Sequence, residues 1–283
     1  MNTKAIYMPK GKAGEYAKYA CNFYVGCSND CEYCYCKKGV LGHALGGPKA
    51  VLKKCFRDEK DALRIFRLEL KKYLEELRKY GLFFTFTSDP FLQETKQLTI
   101  DAVYCAASYG IPCKILTKRA DFIDDIPGEW IINKWYRNKI AFGFTLTGHD
   151  ELEPGASTNT ERIQAMKTLH SYGFKTFASV EPIIDLHSAA RMIGQTNNYC
   201  DLYLIGLMTG QKDYTPNEVK MFVIALIGII GLSKIISIYT DIPDMHIYLK
   251  DSVIKYACLD PLKFRTKPFV DENYNLFHPQ SVS

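Results

Sequence analysis

The amino-acid sequence predicts an α/β fold in which parallel strands close into a partial (β/α)6 barrel, and three observations point to it. Short β-prone runs alternate with amphipathic stretches along most of the chain. Those runs are almost continuously apolar, as strands covered on both faces by helices are. About six such βα units precede the C-terminal tail, fewer than the eight of a closed barrel. No linker rich in Gly, Pro or Ser divides the chain. Residues 1–283 therefore read as a single domain, with a core at roughly 17–240 and a C-terminal extension at 241–283.

In chain order, a strand-like segment at Tyr19–Val25 leads into a cysteine-rich loop. DEKDALRIFRLELKKYLEELRKYG then predicts one long helix, with Leu63, Phe66, Leu70, Leu74 and Leu77 at spacings of three and four and Gly81 as its C-terminal stop. Its lysines and arginines are interleaved with acids, the pattern of a solvated face rather than of a nucleic-acid groove. LFFTFTS (82–88), a helix over roughly 95–109 and CKILTK (113–118) follow. After a weaker helical region come IAFGFTLT (140–147), a helix from Thr158 whose Thr158 and Glu161 fit a capping box, KTFASVEPII (175–184) and DLYLIGLM (201–208). The apolar run 221–232 is too short to span a bilayer and predicts a buried helix.

Chemistry in a barrel of parallel strands sits at the strands' carboxyl ends. Attention falls on the cysteine loop, Thr87-Ser88-Asp89, Thr117-Lys118, Thr145 and Glu181-Pro182. A net charge of +5 is compatible with a phosphate-bearing partner without establishing one. The N-terminus has no apolar secretory core, which predicts a cytoplasmic protein. Ten cysteines in that setting point to metal or redox chemistry rather than disulfides.

The stretch GCSNDCEYCYCKKG holds Cys27, Cys31, Cys34 and Cys36. A structural zinc site usually takes two separated cysteine pairs, and no second pair lies downstream. Cys36, two residues from Cys34, is poorly spaced to share a metal with it. Three thiolates on a cubane cluster would leave one iron open for chemistry. Zinc, an iron–sulfur cluster and a merely cysteine-rich loop all remain readings of the spacing.

C-x3-C-x2-C with Tyr33 before the last cysteine resembles the signature of the radical SAM enzymes. The resemblance implies a [4Fe–4S] cluster on Cys27, Cys31 and Cys34 whose open iron chelates S-adenosylmethionine (SAM). Reductive cleavage would give a 5′-deoxyadenosyl radical that abstracts a substrate hydrogen, and a flavodoxin- or ferredoxin-type donor would supply the electron. Within the superfamily, GCSNDCEYCY, FTFTSDP (84–90), ILTK (115–118) and the segment 144–183 resemble the spore photoproduct lyase and DNA repair photolyase-like group. Carried over, Ser88 and Lys118 would contact the methionine part of SAM and Thr145 would stand close by. Tyr33 and Tyr35 would line the adenosyl pocket. The lyase's hydrogen-donor cysteine is replaced here by Phe86, which argues against photoproduct lyase activity itself.

Glu181 is a candidate for SAM ribose or substrate, or for a salt bridge. Asp89 is either a binding group or a helix cap. Glu153-Pro154-Gly155 predicts a shaped turn, and Arg162 a structural pairing. The resemblance leaves three readings: an enzyme acting on nucleic acid, one acting on a peptide, protein or small molecule, and a non-catalytic Fe–S or zinc-binding protein. No helix-turn-helix, zinc finger or basic stripe is visible in the sequence to choose between the first two.

Overall fold

The structure, a computed structural model, describes residues 4–210, 213–237, 245–264, 269–271 and 274–277. It is a mixed α/β fold built on mostly parallel strands. The chain divides into two compact units, residues 1–142 with 150–158, and residues 143–149 with 159–283.

In the first unit the chain runs through β1 (Ile6–Tyr7), β2 (Ala20–Cys21), β3 (Tyr24–Val25), α1 (Gly39–Leu45), β4 (Val51–Leu52), α2 (Glu59–Lys72), α3 (Leu74–Tyr80) and β5 (Leu82–Phe84). It continues through α4 (Lys96–Ser108), β6 (Cys113–Thr117), α5 (Gly128–Ile132) and α6 (Lys134–Arg137) into the first half of β7 (Ile140–Thr145). Strand β1 pairs antiparallel with β2, and β2–β5 and β5–β6 pair in parallel, with Phe83 opposite Lys114. The segment expected as one strand over 19–25 splits: β2 joins the main ladder, whereas β3 pairs with β4 in a separate hairpin.

The expected helix over 58–80 is two. Asp58 caps α2 by accepting from the Asp61 N–H at 2.7 Å, with Glu59 and Asp61 in the first turn and Lys71 and Lys72 in the last, as the helix dipole favours. At Tyr73, with φ −117° and ψ 26°, the backbone leaves helical geometry before α3 restarts. Gly81, at φ +73°, closes α3. Glu69 is 9% exposed and accepts from the backbone N–H groups of Lys4, Ala5 and Ile6, fastening the N-terminal strand to α2. Strand β5 stops at Phe84, short of the expected Ser88. Beyond it Thr85 Oγ1 and the Phe86 N–H donate to Asn22 Oδ1, and Thr87 Oγ1 donates to the Tyr24 carbonyl, so side-chain bonds replace the ladder.

The second unit takes the end of β7, then α7 (Asn159–Ser171), β8 (Lys175–Ile183), α8 (Leu186–Thr196), β9 (Leu202–Leu207), α9 (Pro216–Ser237), β10 (His246–Leu249) and α10 (Asp251–Tyr256). Strand β9 pairs in parallel with both β8 and β10. A Cβ on Gly143 would lie 2.2 Å from the Phe177 ring, so only glycine admits that ring. The helix expected to be buried over 221–232 buries Phe222, Val223 and Leu226 but leaves Met221, Ile224 and Ile227 45–58% exposed. Among the described residues no helix is long and apolar enough to cross a membrane. Strand β10 lies in the segment expected as an extension; its four residues carry too little pattern to be recognised as a strand.

Candidate functional site

The cysteine loop follows β3 and is fixed at several points, all within the first unit. Asp89, 5% exposed, accepts from Asn29 Nδ2 at 2.8 Å, Thr117 Oγ1 at 2.6 Å, the Lys118 N–H at 2.8 Å and the Phe91 N–H at 3.0 Å. One buried carboxylate therefore ties the loop to the residues that follow β5 and to the end of β6. A carboxylate in this place needs several donors to offset its lost hydration. Of the two sequence readings of Asp89, helix cap or binding group, this network is neither: its oxygens are occupied in holding the scaffold.

The Glu153-Pro154-Gly155 turn clamps the loop from another side. The Gly155 N–H donates to the Asn29 carbonyl at 3.1 Å, the Glu32 N–H donates to the Leu152 carbonyl at 3.0 Å, and the Tyr33 hydroxyl donates to Glu153. A Cβ on Gly155 would lie 2.1 Å from the Ser28 carbonyl oxygen, so the turn needs glycine for close approach. The same turn is bound to the end of β6. Arg119 Nη1 donates to the Gly155 carbonyl at 2.7 Å, and the Ser157 N–H donates to the Lys118 carbonyl at 3.1 Å. The shaped turn expected from sequence is thus the brace of the cysteine loop.

The thiols sit in different fields. Burial pushes Cys27 up to about 12, reinforced by the Asp89 carboxylate and opposed by the Asn29 backbone N–H and Lys118. Cys34 is drawn down, first by a hydrogen bond from the Cys36 thiol and then by Lys118 and Lys37, against its burial. Cys36 is raised by that same bond and by burial, and its sulfur lies 3.7 Å from the Phe86 carbonyl. That carbonyl also accepts from the Tyr35 hydroxyl. Cys36 therefore faces Cys34 and the strand-end backbone.

Of the residues expected to bind a cofactor, Tyr33 and Lys118 are brought together, the ammonium 5.5 Å from the ring centroid. Ser88 Oγ and, in the cysteine loop, Asn29 Oδ1 are buried without a hydrogen-bond partner among the described residues. Unmet buried polar atoms are uncommon and call for a ligand or water. Among the described residues no three or more His, Cys, Asp or Glu side chains converge as a ready-made metal site. The fit of a cluster rests instead on donor chemistry: three soft thiols on one braced loop, with Lys118 acting on Cys27 and Cys34 and Lys37 on Cys34.

The second unit holds Thr145 and Glu181. Thr145 is 4% exposed, and its carbonyl accepts from Nη1 of the fully buried Arg162 at 2.7 Å. Glu181 meets Lys250 at 2.6 Å, and the Lys250 side chain has no exposed surface. A Cβ on Gly206 would fall 2.6 Å from Glu181 Cδ, so a glycine makes room for this carboxylate. Of the two sequence readings of Glu181, the salt bridge is what these contacts display. Lys250 went unnoticed in the sequence because a single lysine in a tail carries no spacing. Asn29 lies inside the cysteine motif, but its role shows only once Asp89 is folded against it.

No family model matches the chain. It is 26% identical over 196 residues to an uncharacterized protein of Methanocaldococcus jannaschii, MJ0683, covering 66% of this chain and 69% of that protein. Among solved structures it is similar to a spore photoproduct lyase mutant with bound AdoMet and dinucleoside spore photoproduct, with TM-score 0.55 and 18% identity over 73% of this chain. It is also similar to Streptococcus suis SuiB bound to the precursor peptide SuiA, with TM-score 0.53 and 10% identity over 84% of this chain. The chain spans 60% of the length of that lyase and 49% of that of SuiB. The fold is the one these proteins share.

Proposed function

We propose that the chain is a radical SAM enzyme whose parallel strands form a partial barrel over roughly 17–240, with Cys27, Cys31 and Cys34 holding a [4Fe–4S] cluster and SAM beside it. The observation that carries this reading is the Asp89 network, which ties a C-x3-C-x2-C loop to the segments after β5 and β6 that bear Ser88 and Lys118. When bound and reduced, the cluster supplies the electron that cleaves SAM to a hydrogen-abstracting 5′-deoxyadenosyl radical.

The chain's own residues bind and orient. The Ser88 hydroxyl, without a hydrogen-bond partner among the described residues, and the Lys118 ammonium hold the SAM carboxylate by charge-assisted hydrogen bonds. Tyr33 and Tyr35, anchored through Glu153 and the Phe86 carbonyl, flank the adenosyl group. Thr145 is a candidate for the methionine end, and Glu181 is a candidate for the ribose or substrate. A flavodoxin- or ferredoxin-type protein donates the electron, in the cytoplasm.

For the substrate we favour nucleic acid, supported by the likeness to a lyase solved with a dinucleoside photoproduct. A peptide substrate is the second reading, supported by the likeness to SuiB solved with its precursor peptide.

The test is anaerobic reconstitution. About four irons and four sulfides per chain are expected, lost in Cys27→Ala, Cys31→Ala or Cys34→Ala and retained in Cys36→Ala. With SAM and reductant the protein should release 5′-deoxyadenosine. Ser88→Ala and Lys118→Ala should each weaken SAM binding by about 1–3 kcal/mol. Stoichiometric zinc without iron would end this reading.

A further inference from the structure

From sequence, α2 reads as a mixed-charge solvated face, but folding sorts its charges. Glu59 Oε1 accepts from the Tyr24 hydroxyl at 2.5 Å, and Asp58 caps the helix. Asp61 accepts from the Arg57 N–H at 3.2 Å and pairs with Arg64 at 2.6 Å. Glu69 is buried against the backbone of residues 4–6. Every acid on the helix thus has a local task.

The cations remain outside. Lys60, Arg64, Arg67 and Lys71, all exposed, line one groove of about 310 Å³ with Leu63 and Leu68. They recur at i, i+4, i+7 and i+11, which places them in one stripe along the helix. Of the four, only Arg64 has a carboxylate partner among the described residues. The Arg67 and Lys71 charges also act on the buried Cys105 thiol.

We propose that this groove binds the phosphodiester backbone of a nucleic-acid strand. Eleven residues at a rise of 1.5 Å extend about 16 Å, long enough to face several successive phosphates of one strand. The cationic side chains supply donors and no acceptors, and the two ammonium groups, Lys60 and Lys71, have no carboxylate partner among the described residues. A protein partner would call for a broader apolar centre than two leucines provide. The chain's net charge of +5 favours the same polyanion.

The inference deepens the nucleic-acid reading of the substrate, and its test omits SAM and reductant so that either can fail alone. Full-length reconstituted protein is titrated anaerobically against a fluorescein-labelled 20-mer of oligodeoxythymidine, and anisotropy is followed from 50 to 200 mM salt. Replacing all four cations with Gln should weaken binding at least tenfold and flatten the plot of log K against log salt by about 0.7 per lost contact. Because Arg64 is paired with Asp61, the double variant Lys60→Gln/Lys71→Gln provides an arm confined to two exposed side chains with no carboxylate partner among the described residues. It should flatten the slope by about 1.4. Unchanged affinity and slope in both variants would overturn the proposal, as would no binding by the unmodified chain at 50 mM salt. Displacement of the oligonucleotide by polyglutamate as readily as by unlabelled oligodeoxythymidine would also overturn it, assigning the groove to an acidic protein.

Discussion

Asp89 accepts a 2.8 Å hydrogen bond from the side-chain amide of Asn29, joining the cysteine loop to the segment that follows β5 across 60 residues of sequence. With Thr117 and the Lys118 N–H on the same carboxylate, the loop cannot shift without breaking charge-assisted bonds.

Asp89→Asn keeps the shape but replaces one acceptor oxygen with a donor facing other donors. It should lower stability by about 2–3 kcal/mol and reduce iron retained on reconstitution. Gly155→Ala, with its new methyl pressed against the Ser28 carbonyl, should cost about 1–3 kcal/mol and act on the same loop. Thermal melts and iron content check both; an Asp89→Asn protein that melts and loads like the parent would remove Asp89 from this role.

Lys250 and Glu181 form an almost water-free pair. Lys250→Met should destabilise the protein by about 3–5 kcal/mol, because it removes the ammonium paired with a largely buried carboxylate. Adding Glu181→Gln should restore much of that loss, measured by denaturant titration. If the double variant is no more stable than the single, the carboxylate is not what suffers.

Asp185 caps α8, accepting from the Ser188 N–H at 2.8 Å, and meets His149 at 2.6 Å. Burial acts to raise its carboxyl, but the Ser188 N–H and His149 outweigh it and lower the group to about 2. A carboxyl lowered on folding contributes stability that is complete above its unfolded value near 4 and is lost as pH falls through about 2. Asp185→Ala should therefore be less stable than the parent by about 1 kcal/mol at neutral pH, the scale of a lost cap. The gap between the two stability curves should shrink as pH falls below about 4 and close near about pH 1. A gap undiminished at about pH 1 would mean the side chain acts through packing alone.

Phe86 stacks on Phe83 at 4.4 Å with its edge toward Tyr16 at 5.8 Å, while its carbonyl receives Tyr35. A phenyl ring offers no hydrogen weak enough to replace a thiol donor. Oligonucleotides carrying the spore photoproduct should be repaired poorly or not at all. Phe86→Cys alone should not restore turnover, since it also removes a ring from this stack. Anaerobic incubation scored for regenerated thymines decides it, and multiple clean turnovers by the unmodified chain would refute it.

Much of this protein is local and was therefore readable from sequence. The cysteine spacing lies within ten residues. Helices α4 and α7 and strands β6 and β9 declare themselves by periodicity or apolar runs, which need no knowledge of distant contacts. Gly81 stops α3 through its own backbone freedom. The tertiary structure alone decided what those pieces hold. Asp89 is a candidate ligand or cap until Asn29 and Thr117 arrive from elsewhere in the chain. Lys250 becomes the partner of Glu181 only when β10 lies beside β9. The acids of α2 look like neutralising neighbours in one dimension, yet only Asp61 pairs with a cation of the stripe, Arg64, while Glu59 and Glu69 are taken by Tyr24 and the backbone of residues 4–6. A sequence records which charges are near one another along the chain, whereas burial and hydrogen-bond demand settle which of them meet.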